Sequence, residues 1–185
     1  AGAGMAQALG ATFYDVNSCE VALGGGQLKQ IQSMDLSRLD ARLKQTEIII
    51  ASDVNNPLCG KNGASHVFGP QKGATSEMVE TLDKNLKYFA NLVAQEIGTD
   101  FQNIAGAGAA GGLGFGLMAF AGAKICSGIE IVIEETKLAT IIAQADYVFT
   151  GEGGIDFQTK FGKTPFGVAQ VAKRYNKPVV AFAGY

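Results

Sequence analysis

The sequence has no tryptophan, a single histidine (His66) and four prolines, and its three cysteines, Cys19, Cys59 and Cys126, form no CxxC pair. So small and scattered a set makes a poor disulfide framework and points to a reducing compartment, which we take as the cytoplasm. A tetrahedral zinc site would have to recruit nearly every one of these residues, so none is expected. Long apolar runs are missing: each stretch is short or broken by glycine, lysine or aspartate, which excludes a membrane span. No cationic segment leads into an apolar one at the start of the sequence either. Charge of one sign is also scarce. Lys and Arg number 15 against 17 Asp and Glu, a net charge of −2, and that excludes a strongly basic nucleic-acid binder.

What is plentiful is glycine: 25 of 185 residues, roughly twice the ordinary usage of about 7%. These glycines lack the every-third spacing of collagen and cluster at a few points, as backbone-lined binding loops do. The hydrophobic fraction of 47% suffices for one good core or two small ones. The chain opens on AGAGMAQALG and closes on an apparent strand, VVAFAGY, an unusual place for a domain to stop. We therefore read it as an excerpt of a longer protein, to which any activity belongs.

Met5, Ala6 and Leu9 suggest a helix closed at Gly10, and Ser37 is placed to cap a short helix carrying Leu39 and Leu43. The run from Glu47 to Ser52 predicts a strand covered on both faces, because Ile48, Ile49 and Ile50 interrupt any polar alternation. From Asn56 to Thr75 the pattern is loop-like, and so long a loop is more often functional than accidental. A helix from Glu77 to Ile97 follows, with Met78, Leu82, Leu86, Phe89, Val93 and Ile97 on one stripe, a Thr75 or Ser76 cap, and Gly98 at its end. The segment 106–114 leads into a small-residue helix reaching Ala123. Ile129 to Ile133 reads as a strand, and Lys137 to Ala145 as a helix with Leu138, Ile141 and Ile142 inward. The strand Tyr147 to Thr150, a glycine-rich turn, a helix capped by Thr164 with Pro165 in its first turn, and the strand Pro178 to Ala183 make a parallel βαβ unit. The expectation is an α/β fold: a second α/β domain over residues 1–130 and an incomplete, parallel-sheet Rossmann-like portion over 131–185.

Two glycine motifs mislead. Gly106-x-Gly108-x-x-Gly111 spells the dinucleotide fingerprint, which needs a strand immediately before it, whereas 98–104 is polar and poorly alternating. Gly162-Lys163-Thr164 resembles the end of a P-loop, but Phe157 stands where that loop requires glycine. Better grounded is Thr150-Gly151-Glu152-Gly153-Gly154 at the carboxyl end of a strand, where open α/β sheets bind ligands. Gly151 and Gly153 can turn amides toward a phosphate, the helix after Thr164 offers a positive end, and Lys163 suits a phosphate or a developing anionic oxygen. Glu152 and Asp156 supply the hard carboxylate oxygens that Mg²⁺ prefers; an ordinary turn with surface acids fits the same residues. Asp53, Asn55 and Asn56 can hold a small hydroxylated or carboxylated ligand, or simply form an Asx turn into Pro57. Lys61, Gln71 and Lys72 sit among glycines as a basic lid or a solvated loop would. His66 and Cys59 lie nearby, the cysteine with no evident activating partner.

Asp53-Val-Asn-Asn-Pro-Leu-Cys-Gly-Lys-Asn-Gly-Ala-Ser, His66-Val-Phe-Gly-Pro-Gln-Lys-Gly-Ala74, Gly106 to Gly114, and Thr150 to Thr159 followed by Gly162 to Pro165 together resemble the bacterial glycerate kinase family. The resemblance runs across essentially the whole sequence, with Lys61, Phe157 and Phe161 as minor departures. It implies a Rossmann-like domain with a second α/β domain inserted, a parent about twice this length, and ATP- and Mg²⁺-dependent phosphorylation of glycerate. On that footing Asp53 and Lys163 are the catalytic candidates, the first to orient and deprotonate the attacking hydroxyl, the second to neutralise phosphate. Asn55, Asn56 and Lys72 would bind substrate; Gly106, Gly108, Gly151, Gly153 and Thr164 the nucleotide; Glu152 and Asp156 the metal. A homo-oligomer is compatible with all of this. The rival readings are a dinucleotide-dependent oxidoreductase of a small hydroxy acid and a non-catalytic nucleotide-binding module.

Overall fold

The computed structural model describes residues 1–155, 159 and 163–184, so Asp156, Phe157 and Phe161 lie outside the described residues. The chain divides into two compact bodies, Ala1–Ile125 and Cys126–Tyr185, against the boundary at 130 expected from sequence. Among the described residues no helix is long and apolar enough to cross a membrane.

The first body starts with α1 (Ala3–Ala8), then β1 (Thr12–Tyr14) antiparallel to β2 (Ser33–Asp35). Ser37 does not cap the next helical turn. Asp40 does, its carboxylate accepting the Arg42 amide ahead of a 3₁₀ turn at Ala41–Gln45. A carboxylate takes this bond because it is charged and the amides at a helix start are otherwise unpaired. The isoleucine run forms only β3 (Ile49–Ala51), and Ile49 is exposed rather than covered on both faces. β3 pairs with β4 (Lys124–Cys126), the Lys124 amide donating to the Ile48 carbonyl.

The expected long loop contains structure of its own: α2 (Ala64–Phe68) and a 3₁₀ turn at Pro70–Lys72. Its glycines hid a short helix that depends on α3 (Ser76–Ile97) behind it. The Thr75 hydroxyl caps α3 by accepting the Met78 amide, and Gly98 ends it in the left-handed region. The buried stripe of α3 is Val79, Leu86, Phe89, Ala90 and Val93, while Met78 faces out. Phe89 is fully buried and meets Phe13 edge-on at 5.5 Å and Phe115 at 6.3 Å, an aromatic centre shared with Phe120.

α4 (Ala109–Ala121) is not regular throughout: Ala110, Gly111 and Gly112 take left-handed dihedrals before right-handed helix resumes. Beyond the break its glycines admit neighbouring backbone. A β-carbon on Gly114 would stand 2.3 Å from the Gly106 carbonyl oxygen, and one on Gly116 would stand 2.6 Å from the Gly2 α-carbon.

In the second body the segment read as a strand is a helix, α5 (Gly128–Glu135). A capping box overrides the strand preference of its isoleucines: the Ser127 hydroxyl accepts the Glu130 amide while the Glu130 carboxylate accepts the Ser127 amide. α6 (Leu138–Gln144) buries Ile142 but leaves Ile141 exposed. β5 (Val148–Glu152) and β6 (Val179–Ala183) then run parallel, from Val148 opposite Val179 to Glu152 opposite Ala183, with α7 (Thr164–Arg174) between them in sequence. This is the expected βαβ arrangement, and it makes the body α/β with a parallel pair. Val148, Ile142, Val171 and Ala172 form its core. Phe149 and Phe182 face away from that core, 64% and 62% exposed, with rings stacked at 6.1 Å.

Candidate functional site

The structure gathers the expected residues into three groups, two on the first body and one on the second. In the first group, the Asp53–Pro57 segment lies against the glycine-rich turn. The Gly108 amide donates to the Asn56 carbonyl, and a Gly108 β-carbon would come within 2.3 Å of the Pro57 carbonyl oxygen. A Gly106 β-carbon would approach Ile125 and the Val54 carbonyl. Gly106 and Gly108 therefore have a packing reason to be glycine, and the Gly108 amide is committed to Asn56. The Asn56 side-chain amide donates to the Asn62 carbonyl at 2.8 Å, tying the end of the segment to the turn that precedes α2. Asp53 and Asn55 are exposed.

The second group is a cavity of about 250 Å³. Ser65, Phe68 and Lys72 reach it from α2 and the turn after it, Leu82 and Leu86 from α3, and Gly25 and Gly111 bring main chain to its rim. Asn85, buried on α3, fixes that rim by donating to the Gly25 carbonyl at 3.1 Å and the Gly26 carbonyl at 3.4 Å. Lys72 lines this cavity, whereas Asn55 and Asn56 lie on the Asp53–Pro57 segment.

Asp83 is the residue sequence reasoning missed. Both of its carboxylate oxygens accept the Gly60 amide, at 3.0 and 3.2 Å, and one lies 3.6 Å from Nδ1 of His66. Nε2 of His66 is 3.2 Å from the Glu80 carboxylate. The histidine is therefore a strut between α2 and α3 rather than a group aimed at a ligand. Nothing in the sequence could have flagged Asp83, since Gly60 stands 23 positions away on a loop. Burial, with Asp83 nearby, pushes the Cys59 thiol up to about 12, the wrong direction for a nucleophile.

The third group belongs to the second body. β5 delivers Glu152 at its carboxyl end, and Lys163 Nζ stands 3.6 Å from Glu152 Oε1. Lys163, with extended dihedrals, holds the cap position of α7, so Thr164 is the first helical residue rather than the cap, and Pro165 follows it in the first turn. Oε2 of Glu152 is buried with no hydrogen-bond partner among the described residues. Gly151 lies under the Phe182 carbonyl, whereas space around Gly153 is open. Among the described residues no group of three or more His, Cys, Asp or Glu side chains could hold a metal by itself.

The model of the Glycerate kinase family matches residues 1–185, the entire sequence. The chain belongs to the glycerate kinase family. It is 51% identical over 183 residues to the glycerate 2-kinase of Escherichia coli K12 and 49% identical to the glycerate kinase of Halalkalibacterium halodurans, covering 99% of this chain and 48% of each relative. A Salmonella typhimurium LT2 protein provisionally named glycerate kinase 2 has a crystal structure that superposes with a TM-score of 0.88 at 54% identity, covering 98% of this chain and 49% of that one. The chain spans about half the length of the curated relatives it matches.

Proposed function

We propose that the protein takes part in transferring the γ-phosphoryl group of ATP to a hydroxyl of glycerate, with its first body carrying the acceptor side and its second the phosphate side. The observation that carries this is the meeting of Glu152 and Lys163 where a parallel strand ends and α7 begins, within a chain of this family. Groups placed there act on anions: amides at Gly151 and Gly153, the positive start of α7 and the Lys163 ammonium.

Phosphoryl transfer asks little covalent work of a protein and much orientation and charge neutralisation. In this reading Lys163 moves from Glu152 onto a phosphate oxygen, and Thr164 and the amides of Gly151 and Gly153 hold the rest. Asp53 orients the attacking hydroxyl and takes its proton, with Asn55 and Asn56 beside it. Lys72 receives the acid's carboxylate at the cavity. The unsatisfied Oε2 of Glu152 fits a single protein ligand of Mg²⁺, which commonly binds through one or two carboxylates with phosphates and waters; Asp156 is assigned as the second. When bound, that ion neutralises phosphate charge. A cytoplasmic location accords with the free thiols at Cys19, Cys59 and Cys126.

A dinucleotide site at Gly106 to Gly111 is disfavoured, because turn rather than strand precedes it. The deciding experiment assays the natural full-length protein with ATP, Mg²⁺ and glycerate, and separately with NAD and NADP. ATP-dependent phosphoglycerate formation supports the reading, and hydride transfer alone refutes it. Asp53→Asn is expected to lower kcat/KM by about 10²–10⁴, as loss of a general base does. A loss under about tenfold would remove Asp53 from that role.

A further inference from the structure

Asp83 carries a largely buried carboxylate, its side chain 15% exposed, for which the phosphoryl-transfer scheme has no use. It projects from α3 three residues before the core residue Leu86, so the packed face of that helix fixes its place. The turn it faces, 58–63, is closed on itself. Leu58, fully buried, accepts the Ala64 amide and donates to the Gln102 carbonyl, and the Gly63 amide donates to the Gly60 carbonyl. Gly60, at φ 88°, has no main-chain acceptor for its own amide among the described residues, and Asp83 turns both oxygens toward it. Farther along the turn, the Asn62 carbonyl receives the Asn56 side-chain amide at 2.8 Å, and the Asn56 carbonyl receives the Gly108 amide at 2.9 Å. A continuous run of bonds thus joins α3 to a residue three positions from Asp53.

We infer that Asp83 is a positioning residue for the acceptor side of the reaction. By holding the Gly60 amide it sets the turn, the turn sets Asn56, and Asn56 sets where Asp53 stands. Asp83 itself touches no reactant and takes no proton. A carboxylate suits the task because its bond to an amide is charge-assisted. The placement it governs matters steeply, since moving a reacting group by about 1 Å can cost about 10²-fold in rate. His66 meets the same carboxylate at 3.6 Å but lies on α2, off the path from Gly60 to Asn56. The inference rests on the kinase reading for what Asp53 does, yet the tie from Asp83 to Asn56 can be measured without turnover.

The experiment compares Asp83→Ala, Asp83→Asn and His66→Ala in the natural full-length protein, by steady-state kinetics with ATP, Mg²⁺ and glycerate and by amide hydrogen exchange. Asp83→Ala is expected to lower kcat by about 10–10²-fold while KM for ATP holds, because the misplacement is confined to the acceptor side. Asp83→Asn keeps an acceptor oxygen for Gly60 and should recover kcat to within about fivefold of the unaltered protein, the deficit of a neutral bond against a charged one. His66→Ala removes a neighbour of the same carboxylate and should leave kcat as it was. The Gly108 amide reports the placement of Asn56, so its exchange should quicken in Asp83→Ala and hold in His66→Ala. Gly60 is exposed, so water can reach its amide once the acceptor is gone. Where the alanine variant fails to fold, Asp83→Leu repeats the test with the volume restored and no acceptor. Retained kcat without the Asp83 acceptor, an equal fall in His66→Ala, no rescue by asparagine, or unchanged Gly108 exchange each overturns the inference. The two ideas fail separately. Phosphorylation of glycerate that survives the loss of Asp83 removes the positioning role alone. No phosphorylation of glycerate by the unaltered protein removes the kinase reading, and Gly108 exchange then decides whether Asp83 holds the segment.

Discussion

Gly108 presses its α-carbon against the main chain of Pro57, so closely that a β-carbon there would come 2.3 Å from the Pro57 carbonyl oxygen. Two segments that read as separate ligand loops are therefore one packed structure. Gly108→Ala must push the Asp53–Pro57 segment outward, at a cost of about 1–3 kcal/mol by analogy with other overpacked sites. Urea denaturation measures this directly. An unchanged midpoint would show that the segment yields freely.

Ala110 offers the opposite case. It is a non-glycine residue at φ 50°, in a left-handed run with Gly111 and Gly112. An alanine side chain in that region costs roughly 1–2 kcal/mol, which glycine avoids. Ala110→Gly is expected to raise the urea midpoint, partly offset by greater freedom of the unfolded chain. A lower midpoint would mean that the alanine methyl supplies packing worth more than the strain.

Asp83→Ala should loosen the loop before α2. Removing the carboxylate leaves the Gly60 amide without its acceptor and His66 without a neighbour at Nδ1. Loss of a partner from a hydrogen bond to a charged group costs about 1.5–3 kcal/mol. Amide hydrogen exchange gives the sharper test: Gly60 should lose protection while amides in α3 such as Phe89 keep theirs. Uniform loss across both would point to global destabilisation instead.

Cys59 supplies a prediction in pH. Its thiol is raised from 9.0 to about 12, chiefly by burial. The unfolded chain gives up this proton at lower pH than the folded chain does. The stabilisation is therefore complete below about pH 9 and is withdrawn as pH climbs from there toward 12. At pH 8 iodoacetamide should modify exposed Cys19 well before Cys59, and mass spectrometry of the labelled peptides distinguishes them. Equal labelling rates would show that the loop opens readily.

Much of the second body was legible beforehand because its signals are local. Alternating strands and helix with Pro165 in the first turn announce a βαβ arrangement, and the structure pairs β5 with β6 in parallel. The misreadings came where two local signals competed or where the deciding contact was distant. Ile129 to Ile133 has strand-forming side chains, but Ser127 and Glu130 close a capping box and win. α2 was invisible among glycines because its support comes from α3. Glycine and acid positions at strand ends can be named as candidates from sequence, whereas the cavity joining Gly25, Ser65, Lys72 and Gly111 could not be foreseen. It is assembled from five stretches that no spacing rule connects.

The outer side of β5 and β6 decides how this chain behaves in a tube. Phe149 and Phe182 stand stacked in water, and among the described residues each strand pairs only with the other. Such a surface is adhesive, and it adjoins strand edges that can template further pairing. Ammonium sulfate should precipitate the chain early, while Phe149→Ser should keep it dispersed at higher salt. Whoever purifies it will be working against two phenyl rings.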